Sequence, residues 1–323
     1  MSSSPTDASS LPAPASRPFA LMGAPTEAGS NAAGGCMGPA ALRVAGLQET
    51  LQALGHRVED FGDISFTANG GPSVAPATPG GGLARNWPEI RAGSARLGRR
   101  AYELLEDGYC PIFLGGDHSI SIGTLNGISR WCDVQGRPLF VIWLDAHADF
   151  NTPDTSPSGN LHGMPLAALC GHPALTDLLP PDPGPALKTH QVYLFGLRAV
   201  DAAEKRLLRE NGVRVMDMRR IDERGVGALV DEIVTDVRAA GGHLHLSFDI
   251  DALDPTIAPA VGTDVPGGLS YREAHLLMEK LYDSGLVGSL DLVELNPFLD
   301  ERGRSARLMV ELVASLFGRR ILE

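Results

Sequence analysis

The sequence predicts an α/β protein in three layers, with helices on both faces of a parallel, roughly eight-stranded central sheet. Eight short apolar runs are candidates for the strands. Most of these runs are apolar throughout and do not alternate, which is typical of strands buried on both faces of a parallel sheet. Amphipathic stretches lie between the runs, and this strand–helix alternation favours a sheet covered by helices on both sides.

The strand candidates are spread over the whole chain after its first 18 residues. In chain order they are PFALMGAP, HRVEDFG, PIFLGGD, PLFVIWLDAHAD, QVYLFGLR, VRVMDM, HLHLSFDID and LVGSLDLVELNP, of which HRVEDFG has the weakest pattern.

Three predicted helices have recognisable ends. GPAALRVAGLQETLQALG has apolar residues three and four apart and closes at Gly55. SYREAHLLMEKLYDSG opens with Ser270 and Glu273, the residues of a capping box. SARLMVELVASLFGRRI is predicted to be the last helix, with Arg319 and Arg320 in its final turn.

The chain is predicted to form one domain behind a short tail. Residues 1–18 are rich in Ser, Pro and Ala and are expected to be a disordered tail, whereas residues 19–323 are expected to form a single catalytic domain. The tail has neither the basic start nor the apolar segment of a secretory signal, and a transit peptide is a weak alternative. The four cysteines form no CxxC pair, so a thiolate zinc site is not expected. Cys110 and Cys132 are predicted core residues of a protein in a reducing compartment, the cytoplasm.

The charge excludes some classes of partner. The net charge of −12 argues against a nucleic-acid partner, because phosphate binding needs clustered Lys and Arg. No apolar run approaches the roughly 20 residues of a membrane helix, so a membrane partner is not expected either. The negative charge suits a small cationic substrate, although solubility alone would also explain it.

Acidic and imidazole side chains follow four of the predicted strands, at the sheet edge where ligands of such folds bind. Alternate residues of a strand face the same way. Asp145, His147 and Asp149 are therefore expected to form one row, and Asp249 with Asp251 another. The residues that follow the four runs are Asp117 and His118; Asp145, His147 and Asp149; Asp249 and Asp251; and Glu294.

Such a cluster predicts metal binding. Crowded carboxylates repel one another and lose hydration unless cations neutralise them. Four carboxylates and two imidazoles without a thiolate favour a hard or borderline metal such as Mn²⁺, and two such ions about 3.5–4 Å apart can activate a bridging water. A single Asp after a strand is usually a turn or cap residue, but the combination of three strand ends favours the metal site.

Several segments resemble the ureohydrolases, manganese enzymes that cleave guanidino compounds to urea. GGDHS, DAHADFNTPDTSPSGNLHGMP and SFDIDALDP carry this resemblance. GNLHGMP, GLRAVDAAE, VGTDVPGGLSYRE and DLVELNP are similar, in order and spacing, to segments of the arginases. The resemblance extends from about residue 18 to the C-terminus, and it implies a parallel eight-stranded sheet and the hydrolysis of L-arginine to L-ornithine and urea.

The resemblance also implies two Mn²⁺ ions per subunit, with a hydroxide between them that attacks the guanidinium carbon. Asp145 and Asp249 would bridge the ions. One ion would be held by His118, Asp145, Asp149 and Asp249, and the other by Asp145, His147, Asp249 and Asp251.

Three residues would take part in catalysis. Asp149 would relay a proton to the leaving amine, His162 would act as a proton shuttle, and Glu294 would pair with the guanidinium group. The simpler alternatives are a loop histidine with local hydrogen bonds and a turn carboxylate after the last strand.

The remaining implied residues bind the substrate. Asn151, Ser158 and Asn160 match polar groups that hold the substrate carboxylate, and they lie in a long Pro- and Gly-rich segment, 150–189. Asp201 would hold the ammonium group with Glu204 nearby, although both are also ordinary acids for a helix N-terminus. Thr263 would contribute to the guanidinium side or to packing at the metal site.

Some positions depart from the arginase pattern, namely Ala199, Asp264 and Pro266, and could shift affinity or metal retention. Arginases are commonly trimers or hexamers, so a homo-trimer or homo-hexamer is expected. Arg272, Glu273 and Asp222 match positions that can pair across subunits. The implied role is in arginine metabolism, as in the urea cycle.

Three competing functions are considered. An agmatinase or guanidino-acid hydrolase would share the metal site, but an agmatinase has no substrate carboxylate for the NTPDTSPSGN loop to bind. A catalytically silent relative would be expected to lack a ligand, His162 or Glu294. A zinc deacylase of related architecture would have a single-metal site with other ligands.

Overall fold

The computed structural model describes residues 17–66 and 83–320. Most of the predicted tail, residues 1–16, lies outside the described residues. Arg17 is buried, and the backbone oxygen of Pro18 accepts a hydrogen bond of 2.9 Å from the backbone nitrogen of Cys110. The chain is therefore already packed against the sheet where its first strand begins.

Eight parallel strands within these ranges form one sheet, which confirms the predicted fold class. The sheet has the order β2-β1-β3-β8-β7-β4-β5-β6. The strands are β1 Phe19–Ala24, β2 Val58–Asp63, β3 Cys110–Gly115, β4 Leu139–Leu144, β5 Val192–Leu197, β6 Arg214–Asp217, β7 His243–Asp249 and β8 Val287–Val293.

The strand order explains why the candidate residues meet. The four strands that they follow, β3, β8, β7 and β4, are consecutive neighbours in the middle of the sheet. Parallel strands end at the same edge, and ligands of such sheets bind beyond that edge. Residues far apart in sequence are thereby brought side by side.

Helices cover both faces of the sheet and give the predicted three layers. One hydrophobic core joins one face of the sheet to α1, α2 and α7 to α10, and a second core joins the other face to α3 to α6. The helices are α1 Gly38–Val44, α2 Leu47–Ala53, α3 Trp87–Glu106, α4 Ser121–Val134, α5 Pro165–Leu169, α6 Ala202–Asn211, α7 Met218–Arg224, α8 Val226–Ala240, α9 Tyr271–Ser284 and α10 Arg304–Leu316.

Two helix predictions need correction. GPAALRVAGLQETLQALG forms two helices and not one, because Gly46 between them adopts a left-handed conformation with φ of 85°. The last helix ends at Leu316, so Arg319 and Arg320 lie beyond it and not in its final turn. Gly318, with φ of 111°, turns the chain there. The predicted capping box of Ser270 and Glu273 is confirmed at the start of α9.

Strand β7 differs from the predicted apolar pattern, because it alternates although it is buried throughout. Leu244, Leu246 and Phe248 belong to the first core. His243 and His245 point to the opposite face, where they bond to Ser289 on β8. Polar residues are tolerated in the centre of a sheet only where they find hydrogen-bond partners.

Two further expectations concern cysteines and membranes. Cys110 and Cys132 are buried free thiols, as predicted. None of the helices in residues 17–66 and 83–320 has the length and apolar character needed to cross a membrane.

The close packing of α3 on α4 gives a stability prediction. A Cβ added at Gly127 of α4 would lie 2.1 Å from the backbone oxygen of Gly98 in α3, so Gly127→Ala forces the helices apart. We expect it to lower the free energy of unfolding by about 1–3 kcal/mol. Gly227→Ala in α8 is the matched control, since its nearest neighbour is the Lys280 side chain at 3.6 Å. The control should leave stability unchanged or raise it by up to about 1 kcal/mol in urea denaturation. Equal stabilities of the two variants would contradict the packing interpretation.

Candidate active site

The acidic and imidazole residues converge as predicted, but not because they alternate on strands. Strand β4 ends at Leu144, so Asp145, His147 and Asp149 lie in the following loop. The carboxylate of Asp145 accepts a hydrogen bond of 2.6 Å from the backbone nitrogen of His147. Such a turn over an aspartate ends the strand geometry and turns the next side chains toward the site.

The loop after β7 is built in the same way. Asp249 is the last residue of β7, whereas Asp251 lies in a short 3-10 helix, Ile250–Ala252. The carboxylate of Asp249 accepts a hydrogen bond of 2.8 Å from the backbone nitrogen of Asp251. Strand alternation is therefore the wrong explanation for this pair as well.

His118 lies at the centre of the first group of candidate ligands. Its Nδ1 atom is 3.1 Å from Asp145 Oδ2, 3.1 Å from Asp149 Oδ2 and 3.2 Å from Asp249 Oδ2. The ring stacks on Trp143 with a centroid distance of 4.0 Å and an interplanar angle of 6°. Trp143 also donates to Asp145, so one indole orients two candidate ligands.

His147 organises the second group. Its Nδ1 atom is 2.9 Å from Asp251 Oδ2 and 3.5 Å from Asp145 Oδ1. Thr263 contacts the same carboxylate of Asp251 at 3.4 Å. Asp145 therefore presents one oxygen to each imidazole, whereas Asp249 is grouped with His118.

The charges of the candidate ligands strongly shift one another's pKa values. Burial alone would raise the pKa of Asp145, but the neighbouring imidazoles outweigh burial and hold its pKa below the usual range. Burial and the charge of Asp145 together raise the pKa of Asp149 to about 6. Burial would lower the pKa of His147, but Asp145 and Asp251 raise it to about 12. The pKa of His118 is likewise raised well above its usual value by the carboxylates around it, against the effect of burial.

These residues fit a pair of divalent cations. His118 Nδ1 is buried among three carboxylate oxygens and has no properly aligned hydrogen-bond partner among the described residues. Two sets of ligand atoms each lie within 4.8 Å of one another, His118 with Asp145 and Asp249, and Asp145 with His147 and Asp251. Oxygen and nitrogen donors without sulfur suit hard or borderline ions.

A cavity of about 360 Å³ opens above the candidate ligands. His118 and Asp145 lie beneath its floor with about 1% exposure, and the other predicted site residues line it. The lining residues are His147, Asp149, Asn151, Ser156, Pro157, Ser158, Asn160, His162, Gly163, Ala199, Val200, Asp201, Glu204, Asp249, Asp251, Thr263 and Glu294.

His162 and Glu294 form a largely buried pair that lines the cavity. His162 Nδ1 is 2.9 Å from Glu294 Oε1, which also accepts a 2.8 Å hydrogen bond from the backbone nitrogen of His118. Burial would lower the pKa of His162, but Glu294, with Asp149 and Asp117, raises it to about 9. Burial would raise the pKa of Glu294, but His162 outweighs it and lowers that pKa.

Two of these residues have unusual backbone conformations. Asp149 and Glu294 have φ of 50° and 61°, in the left-handed region that non-glycine residues seldom adopt. Such backbone strain tends to occur at functional sites, where the surrounding structure holds it in place. The conformation could not be predicted from the sequence.

The predicted substrate loop lines the same cavity. Asn151 Nδ2 donates a 3.1 Å hydrogen bond to Asp201 Oδ2, and its Oδ1 accepts one of 2.9 Å from Thr155. Ser158 Oγ accepts a 3.1 Å hydrogen bond from the backbone nitrogen of Asn160. The side-chain oxygen of Asn160 is buried and has no hydrogen-bond partner in the described part of the chain.

Asp201 and Glu204 differ in burial and in the groups that they contact. Glu204 is buried and accepts hydrogen bonds of 2.8 Å from Phe150 and 3.3 Å from Asp201, both from backbone nitrogens. The second bond completes a capping box at the start of α6. Burial raises the pKa of Glu204 to about 7 despite its bond from Phe150, with Asp149 adding to the rise. The helix-cap alternative thus describes both acids, since Asp201 is the N-cap residue of α6, but Asp201 is in addition exposed and lines the cavity.

Sequence reasoning assigned no role to two supporting residues, although Asp117 was named among the acids that follow the strands. Asp117 is buried and accepts from the backbone nitrogen of Gly29 at 2.8 Å, and Gly29 in turn accepts from the backbone nitrogen of His162 at 3.0 Å. Its position beside His118 in GGDHS was the available signal. Arg198 donates to the backbone oxygens of Asp251 and Val265 at 2.6 and 2.7 Å and so ties two loops of the site together.

A larger cavity of about 780 Å³ lies against α9 and the end of α10 and shares no lining residue with the first. It contains Arg272 and Glu273, two of the predicted subunit-pairing residues. Neither candidate group of metal ligands borders it. We therefore assign the candidate active site to the smaller cavity, where the ligands converge.

Comparison with known proteins identifies the family. The model of the arginase family matches residues 17–318. The arginase of Brucella melitensis biotype 1 is 46% identical over 303 residues, which cover 94% of this chain and 97% of that protein. The arginase of Bacillus caldovelox is 41% identical, covering 95% of this chain and 100% of that protein. A crystal structure of arginase from Bacillus caldovelox superposes with a TM-score of 0.86 at 40% identity, over 95% of this chain and 100% of that one. The sequence motifs, the sheet topology and these matches agree, and this chain belongs to the arginase family.

Proposed function

We propose that this protein hydrolyses L-arginine to L-ornithine and urea at a site for two Mn²⁺ ions. One observation supports this most: a carboxylate–imidazole cluster forms the floor of a cavity that Glu294 and an amide-rich loop also line. A guanidinium group and an amino-acid head group are the two ends of arginine. The relatives named above are arginases, which agrees with this assignment.

The metal ligands that we propose are those expected from the sequence. His118, Asp145, Asp149 and Asp249 would hold one ion, and Asp145, His147, Asp249 and Asp251 the other. The shared position of Asp145 between both imidazoles supports its bridging role. When bound, the ions supply Lewis-acid activation of the water that attacks the guanidinium carbon.

Glu294 is placed to receive the guanidinium group. Its Oε1 is held by His162 and by the backbone of His118, and its Oε2 can accept from the substrate. A carboxylate with lowered pKa stays ionised at neutral pH and so attracts a cationic group. Thr263 also lines the cavity, beside Asp251.

Asp149 and His162 are the residues that would transfer protons. Asp149, itself one of the proposed ligands of the first ion, would take a proton from the attacking water and pass it to the leaving amine. His162 has a pKa of about 9, so it carries a proton at neutral pH and can return one as the amine leaves.

The residues of the predicted substrate loop, together with Asp201, would bind the head group of the substrate. Asn151, Ser158 and Asn160 offer amide and hydroxyl donors to the carboxylate. Asp201 holds the ammonium group, and its bond from Asn151 couples the two subsites. Glu204 acts through the backbone of Phe150 and Asp201, which it positions.

We also propose a cytoplasmic homo-trimer or homo-hexamer that serves arginine metabolism, including the urea cycle where the cell has one. Arg272 lies exposed on α9 and Asp222 on α7, where both are accessible to a second subunit, with Glu273 beside Arg272. We further propose that residues 19–323 form a single catalytic domain behind an N-terminal tail, of which Arg17 and Pro18 already pack against the sheet.

Urea release from L-arginine and agmatine, measured side by side with Mn²⁺-loaded protein, tests the proposed reaction. Agmatine lacks the carboxylate, so we expect a strong preference for L-arginine. Asn151→Ala should raise KM for L-arginine about 10–150-fold, because a hydrogen bond to a charged group is worth about 1.5–3 kcal/mol. KM for agmatine should change much less.

Asn211→Ala, at an exposed position of α6, is the matched control and should leave both substrates unaffected. A preference for agmatine would keep the metal site but refute the carboxylate-binding loop. No urea from either substrate would refute the proposed reaction.

The His162–Glu294 pair predicts a pH dependence. In the metal-free protein, His162 should titrate near pH 9, above its ordinary value of 6.5, and Glu294→Gln should bring its pKa down. Because the folded-state pKa is raised, the contribution of the pair to stability is full below about pH 6.5 and is lost as the pH rises through 9. NMR titration of the histidine ring signals checks this, with exposed His190 as internal control. An unchanged His162 titration in the variant would show that Glu294 is not the cause.

A further inference from the structure

We propose that Asp291, on β8, is a positioning residue that anchors a buried hydrogen-bond relay ending at the Nε2 atom of His118. The inference rests on the proposed function in one respect, since it takes Nδ1 of His118 as a metal ligand. The relay passes through Ser121 and Ser247, and none of these three residues was singled out by the sequence motifs.

Asp291 is completely buried in the centre of the sheet. Asp291 pairs in register with Ser247 on β7. Ser247 pairs in turn with Trp143 on β4, and Trp143 stacks on His118. Helix α4 covers this position and supplies two hydroxyl donors. Ser121 Oγ and Thr124 Oγ1 each lie 2.7 Å from Asp291 Oδ2.

The chemistry fixes the direction of each hydrogen bond in the relay. With Nδ1 of His118 turned to the metal site, the ring proton lies on Nε2, which is 2.8 Å from Ser247 Oγ. Ser247 then accepts from His118 and donates to Ser121 Oγ, 3.4 Å away. Ser121 donates to Asp291, and an ionised carboxylate accepts only.

A second chain of polar groups reaches Asp291 from the other end of the sheet. His243 Nε2 and His245 Nδ1 each lie 2.9 Å from Ser289 Oγ. His245 Nε2 is 3.4 Å from Asp291 Oδ2. Burial lowers the pKa of His243 well below its usual value, so this end of the chain is neutral.

One assignment of donors and acceptors satisfies both chains of hydrogen bonds. His243 donates to Ser289, Ser289 donates to His245 Nδ1, and His245 Nε2–H faces Asp291. Ser121 and Thr124 both donate to Asp291 Oδ2, and His245 Nε2 approaches the same oxygen without forming an aligned hydrogen bond. A buried carboxylate needs such partners because its desolvation is costly, and in return it sets the proton positions of the whole network.

For function, the relay would fix the orientation of one candidate metal ligand, His118. Hydrogen bonds to the second nitrogen of a metal-binding histidine fix its tautomer and ring orientation, and their loss typically weakens metal affinity 10–100-fold. His147, the other candidate imidazole, makes no contact with this network in the described structure. The relay should therefore support one metal site and not the other.

Stepwise titration of the full chain with Mn²⁺ against a competing chelator tests this. Ser121→Ala breaks the relay, and we expect it to weaken binding of one of the two ions about 10–100-fold and the other less than threefold. Asp291→Asn keeps an amide oxygen as acceptor and should weaken the same ion to a smaller extent. Electron paramagnetic resonance then distinguishes a coupled Mn²⁺ pair from a single bound ion.

Thr124→Val is the matched control, because it also removes a donor from Asp291 but lies outside the relay. It should retain both affinities within about threefold, even if the melting temperature of the metal-free protein falls as far as that of Ser121→Ala. Ser289→Ala, which breaks the second chain, serves as a further control for a buried hydroxyl and should behave in the same way.

The outcomes separate this inference from the proposed function. If wild-type protein binds two Mn²⁺ ions and releases urea while Ser121→Ala binds both ions as tightly, the relay is refuted alone. If Thr124→Val weakens Mn²⁺ binding as much as Ser121→Ala does, the network has only a structural role, and the relay is refuted too. Wild-type protein that binds no Mn²⁺ would overturn both the relay and the proposed function.

Discussion

The structure depends on one electrostatic constraint: more carboxylates than imidazoles are buried at one edge of the sheet. Three carboxylate oxygens lie within 3.2 Å of a single nitrogen of His118. Buried like charges are costly unless they are paired or bind cations. The strand order places four such strand ends side by side, and the surrounding polar groups orient them.

Much of the surrounding structure serves to hold these groups in place. Trp143 stacks on one imidazole and donates to a shared carboxylate. Arg198 donates hydrogen bonds to backbone oxygens of the loops around Asp251 and not to a side chain. A site held by such contacts is fixed before a ligand arrives, which favours metal binding and catalysis.

The sequence predicted the fold well because its signal is physical and local. Strands buried on both faces must be apolar, and eight such runs separated by amphipathic helices leave few arrangements. The candidate metal ligands could also be predicted, since residues after the strands of a parallel sheet meet at one edge. Residue types at those positions then indicate the chemistry.

The remaining features depend on conformations that no local pattern encodes. Period-two reasoning failed beyond Leu144, because the carboxylate of Asp145 captures a backbone nitrogen and ends the strand. The left-handed conformations of Asp149 and Glu294 are imposed by tertiary contacts. Glu204 matched a substrate-binding position, yet its burial under the Asp149 loop gives it a positioning role, and only the structure shows this.

The most direct test of the central constraint is calorimetric titration of the metal-free protein with Mn²⁺ near pH 7.5, in two buffers of different ionisation enthalpy. His118 and His147 have raised pKa values among the carboxylates, so they are protonated before metal binds and must release protons when it does. We expect two ions per chain with a net release of protons. Fewer than two ions, or two ions bound without proton release, would contradict the view that this cluster of carboxylates and imidazoles is a binuclear metal site.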